Sequence, residues 1–362
     1  MNAVIALALL APAAAPAPEP PAPDVKVVVR TGLQWLAAQQ AADGHWEGRG
    51  GLFPARFTST AGIAFLMNGS TPKAGPYAAN LRKIVAWMEK NSTDNGLAAS
   101  DGPNEQSQHV PGHAQAMLFL ACAYDVDDDK DRCERVAALL KRGVAFLAEY
   151  RSSRGGWGYG HPRDGNDYDN AECTTAALQA LLATGRTGIE VPKVLTDAAV
   201  RYLVQCTKPD GAIRYGRTSE FGAGNPEGPP RLGAQAASLL LTHDGPRPGQ
   251  LAGWVMSANS TNAPQQLQLL RNGGGYAMQY QYYLARVAYA LGENGHRKLD
   301  PKARDENALR WPAHRVNLFK ALTEAQGKDG SWPDQNFGPV YSTALALIIL
   351  QLDNDYLPAV SR

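Results

Sequence analysis

Several signals that would assign a function directly are missing from this sequence. Its 362 residues contain four cysteines and no CxxC pair, too few for a disulfide scaffold in a chain of this length. The formal net charge is +1, so the basic footprint of a nucleic-acid-binding protein is absent and we expect no nucleic-acid partner. No GxSxG, P-loop, HExxH or GCGEQ motif occurs, which argues against the chemistry that those motifs support.

Long apolar runs are also missing beyond the N-terminus, so we expect no transmembrane segment, which would need ~20 such residues. The N-terminus has an apolar run, Val4 to Leu10, before small residues that could form a cleavage site. This pattern is typical of a secretory signal peptide, although no Lys or Arg precedes the run. We therefore expect residues 1–24 to form a signal peptide and a Pro-rich spacer, and the protein to be exported to the periplasm or the extracellular space. A disordered Ala/Pro tail is the alternative.

What the sequence does contain is an internal repeat. Each copy has an amphipathic helix, a Gly turn with an aromatic or apolar anchor, a loop and a strongly apolar helix. Intervals of roughly 50 to 60 residues between copies fall in the range that marks repeat architectures. The six copies begin at Arg30, Leu81, Lys141 and Val200, near Trp254, and at Leu318.

The two helices of each copy differ in their apolar pattern. The predicted helix from Cys133 to Tyr150 has one apolar stripe, as expected for a surface helix. The predicted helix from Thr343 to Leu352 is apolar all round, as expected for a helix that is buried on every side. An open solenoid needs polar caps at its ends, and here the last helix is among the most apolar. We therefore predict that residues 25–362 form one all-α domain, an α/α toroid of six helical hairpins.

The turns carry a recurring phrase that resembles the QW repeat of squalene and other terpenoid cyclases. It stands as Gln39, Asp43-Gly44 and Trp46 in the first copy, and as Gln326, Asp329-Gly330 and Trp332 in the last. The apolar segments VYSTALALIILQLDNDYLP and PGHAQAMLFLACAY are similar to bacterial prenyltransferase/squalene-oxidase-repeat proteins. The resemblance covers residues 25–358 and implies the toroid of the terpenoid cyclase and protein prenyltransferase superfamily. That fold serves several chemistries.

The cyclase resemblance implies an acidic DxDD motif at the start of an inner helix, where a buried Asp protonates an alkene. Residues 125–128 read Asp-Val-Asp-Asp, but they follow an apolar helix and adjoin further charged residues. We expect them to form a solvated loop that leads into the next helix. Aligned on Thr175-Ala176, the cyclase acid would fall near Glu172.

The prenyltransferase resemblance implies a Zn²⁺ ion held by Asp, Cys and His. Asp169 and Cys173 are spaced i, i+4 and could share a helix face. No His stands at the start of a later inner helix, so we expect no metal and no other cofactor. Asp169 could instead cap its helix, with Glu172 completing a capping-box-like arrangement.

The starts of the inner helices should meet at one open end of the ring, as a polar rim over an apolar cavity. The catalytic candidates are Glu172, Asp169 and His113, and the ligand-binding candidates are His113, Glu172, Arg231, Gln281 and Tyr341. Three functions stay open. The chain could be a toroid without a complete catalytic motif that binds a hydrophobic small molecule or a polypeptide in its cavity. It could be an enzyme acting on an isoprenoid substrate, or an exported protein-interaction scaffold.

Overall fold

The computed structural model describes most of the chain from Asp24 onward. The described residues are 24–98, 105, 107–162, 167–216, 231–240, 248–259, 263–274, 276–299, 301, 308–357 and 360. The predicted signal peptide therefore lies outside the described residues, apart from Asp24. Within the described ranges the structure is helical, with isolated bridges but no β-strand. The helices are α1 (Val25–Ala38), α2 (Pro54–Met67), α3 (Ala78–Lys90), α4 (His109–Asp125), α5 (Lys130–Glu149), α6 (Ala171–Arg186), α7 (Lys193–Cys206), α8 (Arg231–Leu240), α9 (Pro248–Asn259), α10 (Ala263–Asn272), α11 (Ala277–Leu291), α12 (Gly295–Leu299), α13 (Trp311–Ala325) and α14 (Pro339–Leu350).

Six of these helices form a closed inner ring. In chain order α2, α4, α6, α8, α11 and α14 each pack on the next, and α14 packs back on α2. The outer helices α1, α3, α5, α7, α9 and α13 each precede one inner helix. Helix α1 contacts both α13 and α14, so the first and last copies also join in the outer layer. The predicted all-α fold, an α/α toroid of six hairpins, is confirmed.

The fifth copy departs from the simple hairpin. Helix α10 follows outer helix α9 and packs on α11 and α13. The short helix α12 follows α11 and packs back on α9. These two added helices explain why the fifth copy is the hardest to recognise in the sequence.

Burial separates the two layers as their apolar patterns predicted. Every residue of α14 from Tyr341 to Leu350 is buried. Helix α5 instead buries a stripe that includes Val136, Leu140 and Leu147, while Glu134 and other charged residues face solvent. A helix that is apolar on all sides is stable only where protein surrounds it, so such helices occupy the ring and amphipathic helices cover it.

Three buried tryptophans fix the turn of their copies in the same way. The backbone N–H of Trp46 donates to Thr58 Oγ1 at 2.8 Å, and its indole N–H donates to the Leu36 carbonyl at 2.8 Å. A buried indole needs such a partner. The same pair of bonds joins Trp157 to Thr174 and Leu147, and Trp332 to Thr343 and Leu322. These tryptophans are structural.

The glutamine of the turn phrase occupies a different register from the one predicted. Gln40, and not Gln39, matches Gln326, because each donates from Nε2 to the carbonyl of the turn glycine, Gly44 or Gly330. Gly330 has a φ of +96°, a conformation that glycine adopts without strain. Gln326 also donates to the Val28 carbonyl in α1 at 3.0 Å, and so ties the last copy to the first.

All four cysteine thiols are free, and three of them are buried. None of the helices in the described part of the chain has the length and apolar character needed to cross a membrane.

The Trp–Thr bond yields a stability prediction. Replacing Thr174 with valine keeps the side-chain shape but removes the hydroxyl that accepts from the buried backbone N–H of Trp157. We expect the free energy of unfolding, measured by urea denaturation, to fall by about 1–3 kcal/mol. The matched control is Thr175→Val, because the Thr175 hydroxyl donates to the Ala171 carbonyl within its own helix. An equal loss in both variants would contradict the role assigned to Thr174.

Candidate functional site

The site lies where the N-terminal ends of the inner helices surround one end of the ring, here called the mouth. Each inner helix is preceded by an outer helix that returns the chain, so all six run in the same direction and their first turns gather at this end. Five side chains from five of these helices interact there. This central cluster consists of Arg56, Glu172, Arg231, Tyr283 and Tyr341.

Arg56 connects several members of the central cluster. Its guanidinium donates to the Tyr341 hydroxyl at 3.1 Å and lies 5.2 Å from the centre of that ring. Burial disfavours its charge, but the Tyr341 hydroxyl, the Glu172 carboxylate and Tyr283 outweigh burial and raise the pKa of Arg56. Glu172 and Tyr283 belong to α6 and α11, neither of which neighbours α2 in the ring. These side chains therefore face one another across the ring centre.

Aromatic side chains support this cluster on the seam between the first and last copies. Tyr341 stacks on Phe57 with ring centres 4.7 Å apart, and Phe337 packs edge-on against both rings. Tyr341 is 5% exposed, and burial raises the pKa of its hydroxyl. The hydroxyl therefore stays protonated at neutral pH and can donate or accept a hydrogen bond.

Glu172 forms an ion pair with Arg231 at the start of the neighbouring inner helix α8. The two groups are 3.0 Å apart, and both side chains are largely buried. Arg231 also lies 4.5 Å from the centre of the Tyr276 ring. The Arg231 guanidinium therefore already donates to the Glu172 carboxylate.

A second cation lies deeper in the ring. Arg286 of α11 is 1% exposed, and its Nε donates to the Val360 carbonyl at 2.6 Å. Its other two guanidinium nitrogens are buried and have no hydrogen-bond partner among the described residues. Burial raises the pKa of Cys122 to about 12, and Arg286 opposes that rise. Cys122 is on α4, directly across the ring from α11, so Arg286 points into the ring interior.

The predicted rim residues separate into two groups. Glu172, Arg231 and Tyr341 lie in the central cluster. Gln281 instead lines a cavity between α11, α13 and α10, on the outward side of the inner ring. His113 faces outer helix α5, where its ring lies 4.5 Å from that of Phe146.

His113 holds the packing of α4 through both of its ring nitrogens. Nδ1 accepts from the Ala98 N–H at 3.1 Å, and Nε2 donates to the Gly143 carbonyl at 3.3 Å. Burial is the main cause that lowers the pKa of His113 to about 4. The imidazole is therefore neutral at physiological pH and its hydrogen-bonding groups are already occupied.

Asp169 also has a structural role, and the residue that caps α6 is its neighbour Asn170. Its carboxylate accepts from Ser152 at 2.5 Å, from Arg154 Nε at 3.0 Å and from the Tyr202 hydroxyl at 2.7 Å. These bonds tie the preceding turn to outer helix α7. The N-cap of α6 is Asn170, whose side chain accepts from the Cys173 N–H at 2.8 Å. The prediction that Asp169 caps α6 was wrong.

The arrangement around Cys173 differs from a thiolate metal site. Its side chain is fully buried, and burial raises the pKa of the thiol well above its usual range. Asp169, its predicted companion, is committed to Arg154 and Tyr202. In the described ranges no three His, Cys, Asp or Glu side chains converge in a way that could hold a metal ion.

The Asp-Val-Asp-Asp run lies at the end of the ring away from the mouth, as predicted. Asp125 ends α4, and Asp129 caps α5 by accepting from the Arg132 N–H at 3.0 Å. Asp127 accepts from the Arg132 guanidinium at 2.7 Å, and Asp128 pairs with a surface lysine. Burial alone would raise the pKa of Asp127, but the Arg132 hydrogen bond contributes to a net lowering. Asp127 and Asp128 are therefore paired carboxylates in a loop, whereas burial raises the pKa of Asp125 at the end of α4.

Sequence reasoning missed Arg56 and Arg286. Both stand as single charged residues inside otherwise apolar inner helices, PARFTSTAGIAFLM and AMQYQYYLARVAYAL. A charge in a helix that is buried on all sides is costly unless it is paired or binds a ligand. That contrast is the signal that could have found them.

Known proteins share the fold but not the sequence. No family model matches the chain, and no curated protein does. An inactive variant of the α-1,6-mannanase of Salegentibacter, solved with α-1,6-mannotetrose, has a TM-score of 0.55 at 11% identity, covering 91% of this chain and 98% of that one. An unsaturated glucuronyl hydrolase specific for heparin has a TM-score of 0.53 at 12% identity, covering 90% of this chain and 95% of that one.

A type II terpene cyclase from Scytonema, solved without ligand, gives a TM-score of 0.51 at 13% identity, over 92% of this chain and 98% of that one. Similarity at this level of identity shows the fold alone. The chain is an α/α toroid, and its neighbours include both glycoside hydrolases and a terpene cyclase. No single activity follows from that set.

The lowered pKa of His113 predicts a pH-dependent stability. The pKa of His113 is about 4 in the folded protein, against an ordinary value of 6.5 that we take for the unfolded chain. The unfolded chain therefore binds a proton more readily than the folded protein. The stability contributed by neutral His113 is complete above pH 6.5 and is lost as the pH falls towards 4. We expect the free energy of unfolding, measured with urea, to drop by about 2 kcal/mol from this group between pH 7 and pH 4.5.

The variant His113→Gln should have a shallower pH dependence than the wild type. Burial also lowers the pKa of His314 to about 4. His314 therefore makes the free energy of unfolding depend on pH equally in the wild type and in His113→Gln. Thr175→Val, which removes no titratable group, serves as the control and should keep the pH dependence of the wild type. An unchanged profile in His113→Gln would contradict this assignment.

Proposed function

We propose that this chain is a non-catalytic toroid that binds, inside its ring, a hydrophobic ligand carrying one anionic group. The observation that carries the proposal is Arg286. A guanidinium stays charged at any physiological pH, and burying a charge without a full set of partners is costly. A carboxylate or phosphate group on a ligand would supply the acceptors that its two unpaired nitrogens lack.

The surroundings of Arg286 suit the apolar body of such a ligand. Tyr282 lies beneath the guanidinium, 5.5 Å from it, and Tyr283 and Tyr341 face the same ring centre nearer the mouth. Arg56 and Arg231 are already paired with Tyr341 and Glu172. We infer that these pairs shape the entrance and that Arg286 receives the anion.

An enzyme acting on an isoprenoid is the alternative that this arrangement favours less. Within the described residues the central cluster contains one carboxylate, Glu172, and that carboxylate is paired with Arg231. Hydrolysis of a glycosidic bond by the usual route needs two carboxyl groups, of which one acts as an acid. An acid-initiated cyclisation likewise needs a carboxyl group that stays protonated.

The proposal predicts selective stabilisation by an amphipathic anion. Dodecanoate should raise the thermal unfolding midpoint of the wild type by a few degrees, since a ligand that binds only the folded state stabilises it. Dodecanol at the same concentration should raise it less. The gain from dodecanoate should disappear in Arg286→Met and persist in Arg135→Met, the same substitution at an exposed arginine on outer helix α5.

Two further measurements separate the alternatives. Mass spectrometry of the purified protein should find a co-purifying acidic lipid, and a bound peptide in its place would overturn the lipid assignment. Incubation with squalene and with geranylgeranyl diphosphate should give no product. Turnover that is lost in Glu172→Gln would establish an isoprenoid enzyme and reject the proposal. Equal dodecanoate stabilisation in wild type and Arg286→Met would place the anion elsewhere, and no stabilisation with no bound lipid would favour a scaffold.

A further inference from the structure

A cavity lies outside the inner ring, between α10, α11 and α13. Its volume is about 340 Å³, within the range of small-ligand pockets. It exists because α10 is added to the fifth copy and packs against α11 and α13. The cavity is separate from the central cluster, since it faces the outer layer.

The inner wall of this cavity carries an unusual residue. Gln281 of α11 is 1% exposed, and within the described part of the chain neither its amide nitrogen nor its amide oxygen has a hydrogen-bond partner. Buried polar groups are nearly always hydrogen-bonded, and a group that is not requires an explanation. Neighbouring positions on α11, Leu284 and Ala285, are apolar and fully buried. A leucine at position 281 would avoid the cost, so the amide calls for a function.

The other walls combine apolar and polar groups. Leu318 of α13 is fully buried and, with Ala321, gives an apolar side. His314 Nε2 is buried and also lacks a partner. Burial lowers the pKa of His314 to about 4, so the ring is neutral at physiological pH. Glu324 lines the cavity as well, and its carboxylate is neutralised by Arg271 of α10.

We propose that this cavity is a second binding site, for a small neutral molecule that carries a primary or cyclic amide on an apolar ring. The Gln281 oxygen would accept from the ligand N–H while the Gln281 nitrogen donates to the ligand carbonyl. This pair of bonds satisfies both unpaired atoms at once. His314 Nε2 provides one further hydrogen-bonding group, and Leu318 contacts the apolar ring. A neutral ligand suits the site because the Glu324 carboxylate in its lining is already paired with Arg271.

Benzamide is the probe for this site, and methyl benzoate is its partner without an N–H donor. Ligand-observed NMR titration of the full chain should show saturable benzamide binding and weaker binding of methyl benzoate. In Gln281→Leu the affinity for benzamide should fall about tenfold or more, as expected for the loss of two hydrogen bonds. Gln235→Leu is the matched control and should bind benzamide as the wild type does. Gln235 is also a buried inner-helix glutamine with an unpaired oxygen, on α8.

Thermal unfolding of Gln281→Leu shows whether a loss of benzamide binding comes from the binding site or from a folding defect. Gln281→Leu should unfold at a temperature equal to or above that of the wild type, because it removes unpaired buried polar atoms. Dodecanoate stabilisation should be unchanged in this variant, so the two sites succeed or fail separately. The proposal is rejected if wild-type protein does not bind benzamide, or if Gln281→Leu binds it equally well. A crystal structure with ordered water on Gln281 that benzamide does not displace would also reject it.

Discussion

Closure of the ring through α14 and α2 is the constraint on which the rest of this structure depends. Helix α14 is apolar on every face, so it is stable only if protein surrounds it. Helices α11 and α2 cover two of its sides, and α1 covers the outside. The bond from Gln326 to the Val28 carbonyl reinforces the same seam. Without closure, the most apolar helix of the chain would face water.

Closure also determines the contacts and the burial of the side chains inside the ring. Residues on non-adjacent helices, such as Arg56 and Glu172, interact because the ring brings their helices around one centre. The same enclosure leaves Arg286 buried with two unpaired nitrogens. Charges in such a place cost stability, and natural folds keep them mostly where a ligand or a reaction uses them. The combination of tyrosines, paired charges and one unpaired cation underlies the proposed binding role.

The fold itself does not identify the ligand. Solved structures that share it are described as an α-1,6-mannanase, an unsaturated glucuronyl hydrolase specific for heparin and a type II terpene cyclase, and these three are 11%, 12% and 13% identical to this chain. The fold alone therefore assigns no activity to this chain. Among the described residues, the central cluster has one carboxylate, Glu172, and it is paired with Arg231.

The sequence by itself determined the repeat, the two classes of helix and the closed ring, because helical periodicity and burial are local properties that recur in each copy. It also determined that the Asp-Val-Asp-Asp run is a loop, since the apolar helix before it ends at Asp125. Tertiary structure alone decided the site. The side-chain direction of a residue near a helix start depends on a rotation of about 100° per residue. That rotation turned His113 and Gln281 towards the outer layer and Arg56 towards the centre, and alignment of repeats does not resolve it.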